Sequence, residues 1–248
     1  MNKARVQKSF DRAAAHYEKY ALVQKDAADF LANFVKEKTL LHPQTILDIG
    51  AGTGFLTERL LNFFPRARYL LNDISPAMIA SSKEKFRRLD NAAYFVGDAE
   101  QAAFPEKSYD LMISNLTFQW FENLEQGISR LWKKTKCLAF STLLQGTFSE
   151  WERACQAADE PSGLHSYPSF QNLKAHCLQL NHRLVFFEYQ TKKQIFKNPR
   201  EFVRHLKRTG ACVPHAEYRS SRLTPIFKAL PNGIETNYEI FYALLLKE

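Results

Sequence analysis

Three aspartates and three glycines carry the most legible chemistry in this 248-residue chain. Asp48 lies in an apolar, β-type run, Thr45-Ile46-Leu47-Asp48-Ile49. A turn with glycines at 50, 52 and 54 follows, then a helix-compatible segment over residues 55–64. Strand, tight glycine turn and helix form the opening unit of nucleotide-binding α/β folds. There the glycines let backbone approach a ligand, and the helix N-terminus favours negative charge on it. The spacing narrows the choice. A dinucleotide fingerprint reads G-x-G-x-x-G, whereas here Phe55 stands at its third glycine position. Asp48 is two residues before Gly50, a poor neighbour for a pyrophosphate and a good one for a cationic head group. Asp73 follows Gly50 by 23 residues, near the roughly 20 expected of an acid that holds ribose hydroxyls. Asp98 repeats the pattern after the next strand. One Asp after a strand is often only a cap or turn former. Three, at or just past the ends of successive strands, mark the place where open α/β sheets bind ligands.

Positioning those acids requires a series of strands and helices. Apolar runs over residues 68–72, 93–96, 109–114 and 137–142 read as strands two to five. Ser75-Pro76 reads as an N-cap followed by Pro at the first helical position, opening a helix to about residue 89, and residues 124–134 form another. Ahead of the first strand, Val6, Phe10 and Ala14 recur at helical spacing, and residues 21–38 repeat the pattern. Residues 1–42 are thus expected to be a helical lid over the site and residues 43–145 the ligand-binding core. Residues 146–248 complete a single domain as its substrate-recognition half. There Thr147-Phe148-Ser149-Glu150 reads as a capping box before a helix that buries Phe148, Trp151 and Cys155. Residues 171–180 and the stretch after Asn198-Pro199 read as helices, and 184–189 and 239–246 as late strands.

Composition bounds the class. Hydrophobic residues make up 45% of the chain, which fits a packed globular core. No apolar run approaches the roughly 20 residues of a membrane span, and residues 1–12 are polar. Four dispersed cysteines without a C-x-x-C pair read as reduced packing thiols in a cytoplasmic protein, with no metal site. The formal charge of +8 is uneven: residues 191–230 hold ten Lys/Arg and two Asp/Glu, leaving 24 of each sign elsewhere. Such a segment is either a solvated face or a docking face for an acidic partner.

A ligand with an ammonium, a sulfonium and no phosphate is S-adenosylmethionine. The run Asp48 to Gly54 resembles motif I of the class I S-adenosylmethionine-dependent methyltransferases. That resemblance implies a Rossmann-like, seven-stranded α/β sheet with an antiparallel last strand. The basic segment 191–230 then falls between strands six and seven. It implies cofactor contacts from Asp48, Gly50, Ala51, Gly52 and Gly54, from Asp73 and Ile74, from Asp98 and Ala99, and from Asn115. Four further stretches are more specific: Ser9 to Tyr17 (SFDRAAAHY), Ser114 to Trp120 (SNLTFQW), Phe140 to Leu143 (FSTL) and Leu206 to Ala211 (LKRTGA). Together they resemble the malonyl-[acyl-carrier-protein] O-methyltransferases of biotin synthesis. The resemblance runs from about residue 5 to the C-terminus and is less typical after Gly210.

This resemblance implies methyl transfer to the free carboxylate of a malonyl thioester on acyl carrier protein, an acidic partner for the basic segment. Tyr17 and Trp120 would act at the transferred methyl, with Gln119 on the substrate side. Arg204, Lys207 and Arg208 are the candidates to meet the malonyl carboxylate, and the sequence does not choose among them. A carboxylate with a pKa of about 4 is already ionised at neutral pH, so no general base is expected. Other classes compete: a methyltransferase acting on quinone-type small molecules, an RNA methyltransferase, or a non-catalytic interaction protein that binds the cofactor. Nucleic acid is disfavoured because Ser114-Asn115-Leu116-Thr117 stands where base-amino methyltransferases carry an N-P-P-Y-type tetrapeptide.

Overall fold

The computed structural model describes residues 2–213 and 222–247. Helices α1 (Lys3–Ala13), α2 (Tyr17–Tyr20) and α3 (Leu22–Lys38) open the chain, with a 3-10 turn at Ala14–His16 between the first two. The core follows as β1 (Thr45–Ile49), α4 (Phe55–Phe63), β2 (Arg68–Asp73), α5 (Pro76–Lys85), β3 (Ala92–Val96), β4 (Tyr109–Ser114), α6 (Leu124–Trp132) and β5 (Thr135–Leu143). The second half comprises α7 (Ser149–Ala157), α8 (Phe170–Gln179), β6 (Leu184–Phe196), α9 (Pro199–Arg208), α10 (Leu223–Lys228) and β7 (Ile234–Leu246).

The seven strands form one sheet in the order β3-β2-β1-β4-β5-β7-β6. The first five pair in parallel, and β7 runs antiparallel to both its neighbours. The Rossmann-like α/β sheet with an antiparallel last strand is therefore as expected. Strand order reverses at β1, between β2 and β4, and such a switch point opens a crevice at the carboxyl ends of the strands.

Period-two alternation explains why the sheet forms and why it is covered on both faces. Ile46, Leu111, Ile113, Ala139 and Tyr242 pack with α3, α4 and α7, while Leu47, Met112, Leu138, Phe140 and Phe241 pack with α6 and α8. A strand apolar on both faces reads as a continuous hydrophobic run. No helix among the described residues is long and apolar enough to cross a membrane.

The second half corrects two expectations. First, β6 and β7 each run 13 residues and pair along their whole length, from Leu184↔Leu246 to Phe196↔Ile234. The extra half of β6 contains Thr191, Lys192 and Lys193, which read as insertion. A charged, half-exposed sequence suits an edge strand because it discourages further pairing. The connection between β6 and β7 thus begins at Lys197, and of the basic segment, residues 214–221 lie outside the described residues. Second, Thr147 and Glu150 do not form a capping box. The cap of α7 is Phe148 in a left-handed conformation, without a side-chain cap bond. The Thr147 hydroxyl instead accepts the Glu239 N–H (3.0 Å), and the Glu150 carboxylate accepts the Glu235 N–H (2.7 Å). Both polar groups tie α7 to β7, a tertiary demand that a local motif cannot anticipate. Phe148, Trp151 and Cys155 are buried as expected.

Polar contacts tie the start of the N-terminal helical segment to the core. The Asp11 carboxylate accepts the Ser75 hydroxyl (2.6 Å) and the Ala77 N–H (3.2 Å) at the N-terminus of α5, where a negative charge is favoured. Lys3 Nζ donates to Glu100 (2.7 Å) and to the Trp120 carbonyl (2.9 Å). Gly210 lets α1 approach the end of α9: its φ is +73°, and a Cβ there would stand 2.5 Å from the Phe10 ring.

Candidate active site

Two cavities of similar size lie side by side at the carboxyl ends of the strands, with ≈ 620 Å³ and ≈ 640 Å³ of empty space that is partly open to solvent. The first is bounded by the glycine turn, the ends of β2 and β4 and the lid. Of the residues read as cofactor contacts, Gly50, Gly52, Asp73 and Ile74 line it, as do Asp98, Ala99 and Asn115. Lys3, Met78 and Phe121 line it as well, and no local pattern marks them: an N-terminal Lys and two apolar residues resemble any others. Asp48, Ala51 and Gly54 do not line it. Gly54 serves packing instead, since a Cβ there would stand 2.4 Å from the Phe86 ring.

Gly52 is the glycine whose absent side chain leaves ligand space. Its φ is +58°, and beyond its chain neighbours the nearest group to an added Cβ is the Tyr17 ring, 3.9 Å away. Its N–H donates to Asp73 Oδ2 (2.9 Å), while Asp73 Oδ1 accepts the Ser75 N–H (2.8 Å). A carboxylate offers about four acceptor sites, so Asp73 retains acceptor capacity toward the cavity. Burial pushes its carboxyl up to about 6, against those N–H bonds and with help from the Asp11 charge.

Asp48 is more deeply buried. One oxygen accepts the Thr57 hydroxyl (2.6 Å), and the other is buried without a hydrogen-bond partner among the described residues. Burial pushes this carboxyl up to about 7; the Thr57 hydroxyl opposes the rise and the Asp73 charge adds to it. Two neighbouring buried carboxylates, of which Asp73 lines the cavity and Asp48 lies behind it, suit a ligand that brings a positive charge. Together with the space at Gly52, this fits S-adenosylmethionine and does not fit a pyrophosphate. Asn115 serves mainly the protein: its amide donates to the Gln24 carbonyl and its oxygen accepts the Ser141 hydroxyl, both at 2.8 Å.

The second cavity is walled by apolar side chains with a few hydroxyls and amides. Phe10, Tyr17, Leu116 and Trp120 line both cavities and form their common wall. Each element contributes for a local reason. The Tyr17 ring stacks on Phe55 with centroids 5.9 Å apart. Leu116 adopts a left-handed φ of +47°, which a non-glycine residue holds only where surroundings enforce it; here its N–H is bound by the Ser141 hydroxyl (3.0 Å). Trp120 meets Phe10 edge-on at 5.6 Å and His165 at 5.5 Å. Gln119 lines only the second cavity, and its amide is engaged by the Leu116 carbonyl (2.6 Å).

Arg204, Lys207 and Arg208, the candidates to meet the malonyl carboxylate, line neither cavity and are exposed. The helical period is the reason: α9 buries Phe202 and His205, turns Leu206 toward the second cavity, and leaves those three on its outer side. Arg208 lies over the Tyr20 ring at 4.4 Å.

Fold and site together define the class: a class I, S-adenosylmethionine-dependent methyltransferase. A family model described as "Methyltransferase domain" matches residues 46–136. The chain is 30% identical to a malonyl-[acyl-carrier protein] O-methyltransferase of Neorickettsia risticii (strain Illinois), over 96% of this chain and 94% of that protein. It is 34% identical to the protein of the same name in Priestia megaterium (strain DSM 319 / IMG 1521), over 96% and 92%. Among solved structures, a putative methyltransferase from Bacillus halodurans superposes with a TM-score of 0.61 at 14% identity, over 88% of this chain and 98% of that one. That likeness is one of fold. The chain belongs to the malonyl-[acyl-carrier protein] O-methyltransferase family.

Proposed function

We propose that this protein methylates the free carboxylate of a malonyl thioester carried on acyl carrier protein, with S-adenosylmethionine as donor, in the biotin-directed role that its family resemblance implies. The observation that carries this reading is the common wall: two cavities of similar size share Phe10, Tyr17, Leu116 and Trp120. One cavity carries the acidic, glycine-lined surface suited to the cationic donor, and the other is a largely apolar chamber suited to a short acyl group. When bound, S-adenosylmethionine supplies an electrophilic methyl on a positively charged sulfur. Asp73 would hold the ribose hydroxyls, and Asp98 and Ala99 would face the base. Tyr17 and Trp120 would align the acceptor oxygen at the wall, and the lid would exclude water. Incubation with S-adenosylmethionine and malonyl-carrier protein, read by mass spectrometry, should add one methylene mass to the carrier; an unchanged mass would rule the reading out.

An ionised acceptor needs no proton removed, so catalysis rests on alignment and desolvation. At saturating donor, the single-turnover rate should therefore be nearly flat from roughly pH 6 to 9. Burial raises the Tyr17 hydroxyl above its ordinary range, with help from the Asp73 charge, so it stays protonated throughout. Tyr17→Phe should retain measurable turnover. Donor affinity should behave differently: Asp48 and Asp73 gain protons below about 7 and about 6, so affinity falls as pH drops from 8 to 5. A single-turnover rate climbing tenfold per pH unit through neutrality would expose a titrating base.

The carrier protein is expected to dock on the basic outer side of α9. Charge reversal at Arg204, Lys207 and Arg208 together should raise the KM for malonyl-carrier protein and flatten its salt dependence. Steering by exposed charge is screened over about 8 Å at physiological ionic strength. Turnover of malonyl-coenzyme A should change less, since no protein face docks. Because these side chains line neither cavity, single substitutions should leave kcat unaltered. A triple reversal without effect on either substrate would reduce the patch to a solvated face.

A further inference from the structure

The acceptor chamber contains two phenols, beside that of Tyr17, that the reaction as described does not use. Tyr167 and Tyr238 line the second cavity together with Tyr17, and neither lines the first. The three phenols come from the lid, the loop before α8 and strand β7. They are close enough for Tyr167 and Tyr17 to perturb Tyr238 electrostatically. Among the described residues no hydrogen bond engages the hydroxyl of Tyr17 or Tyr167, so both remain available to a ligand. Tyr238 has a partner behind it: its hydroxyl lies 3.3 Å from His205 Nε2, on the buried side of α9.

We propose that Tyr167 and Tyr238, the latter oriented by His205, are the hydrogen-bond donors that recognise the acceptor carboxylate, with Tyr17 at the boundary to the donor. This rests on the malonyl-thioester reading above and deepens it. The chemistry favours neutral donors. Methyl transfer from a cation to a carboxylate removes charge from both reactants as the transition state forms. An ammonium or guanidinium clamped on the carboxylate would stabilise the ionised ground state more than that transition state. Phenol donors bind the anion through charge-assisted hydrogen bonds and leave a carboxylate oxygen nucleophilic. Burial keeps these phenols protonated by raising their hydroxyls above the ordinary range. It also keeps His205 neutral, pushed down to about 4 by burial and the nearby Arg208 charge. A neutral His205 that carries its proton on Nε2 donates to the Tyr238 oxygen and turns the phenol proton toward the chamber.

The test compares binding of malonyl-carrier protein and acetyl-carrier protein, which lacks the carboxylate, to the complex of the full chain with S-adenosylhomocysteine. Wild type should prefer malonyl. Tyr167→Phe and Tyr238→Phe should each weaken malonyl binding at least tenfold while acetyl binding and S-adenosylhomocysteine affinity stay within twofold. In turnover, the loss should fall on KM more than on kcat. A packing role would weaken both carrier proteins alike, and that result overturns the proposal, as does malonyl affinity unchanged in both variants. A wild type that does not distinguish malonyl from acetyl overturns the malonyl reading itself, and the inference with it. A wild type that does, beside variants that keep its preference, overturns only the inference.

Discussion

Asp48→Asn should make the ligand-free protein more stable at pH 8 while weakening its hold on S-adenosylmethionine. Asp48 is buried, one of its oxygens has no hydrogen-bond partner among the described residues, and its carboxyl is pushed from 3.8 up to about 7. The folded chain therefore keeps this proton to a higher pH than the unfolded chain. Stability is lost as pH rises from about 4 to about 7, and the full loss persists above that. At full ionisation the difference corresponds to about 4 kcal/mol. Asparagine keeps an oxygen for the Thr57 hydroxyl but buries an amide N–H, which costs about 1–3 kcal/mol when unpaired. The net gain at pH 8 should be about 1–3 kcal/mol, turning into a loss at pH 4, where the aspartate is already neutral. Urea unfolding at the two pH values measures this. A variant less stable than wild type at pH 8 would contradict the burial account. Calorimetry should show weaker S-adenosylmethionine binding by the same variant, because the Asp48 charge, although it reaches no cavity surface, adds to the negative potential beside Asp73 that a bound cation feels.

Asp73→Ala should lower S-adenosylmethionine affinity by about 1.5–3 kcal/mol, roughly 10- to 150-fold, while its two effects on stability oppose each other. The affinity loss is the usual scale for hydrogen bonds to a charged group. Two effects on stability oppose each other. The substitution leaves the Gly52 and Ser75 N–H groups without their acceptor, at about 1–3 kcal/mol each. It also removes a buried carboxylate pushed from 3.8 up to about 6, a relief of about 3 kcal/mol above that pH. Calorimetric titration together with thermal unfolding separates the two. Wild-type affinity in a folded Asp73→Ala protein would remove Asp73 from the cofactor site.

The two variants differ in what the sequence could say of them. Asp48 and Asp73 were equally visible as acids at strand ends, because strand, glycine turn and acid are local in the chain. The tertiary structure separates their roles. Asp73 lines the cavity with its oxygens on the turn, whereas Asp48 bonds Thr57 and reaches no cavity surface.

By itself, the sequence determined the α/β class, the order of strands β1 to β5, the glycine turn and the acids around it. Each depends on alternation, turn chemistry or spacing within a few residues. It also determined family membership, through short stretches whose residue types are specific. Only the tertiary structure decided how the halves meet. The common wall joins Phe10 and Tyr17 of the lid to Leu116 and Trp120 after β4, about a hundred residues later. The acceptor chamber then adds Tyr167 and Tyr238 from segments that carry no motif. Periodicity showed a basic helix after Asn198-Pro199, but not which side packs. Burial of Phe202 and His205 turned Arg204, Lys207 and Arg208 outward. Thr147 and Glu150 failed as a capping box because β7 supplied other partners. Where hydrogen-bonding partners are near in sequence, residue types suffice to place them. Where they come from distant strands and loops, packing of the whole chain selects which polar groups face the ligand.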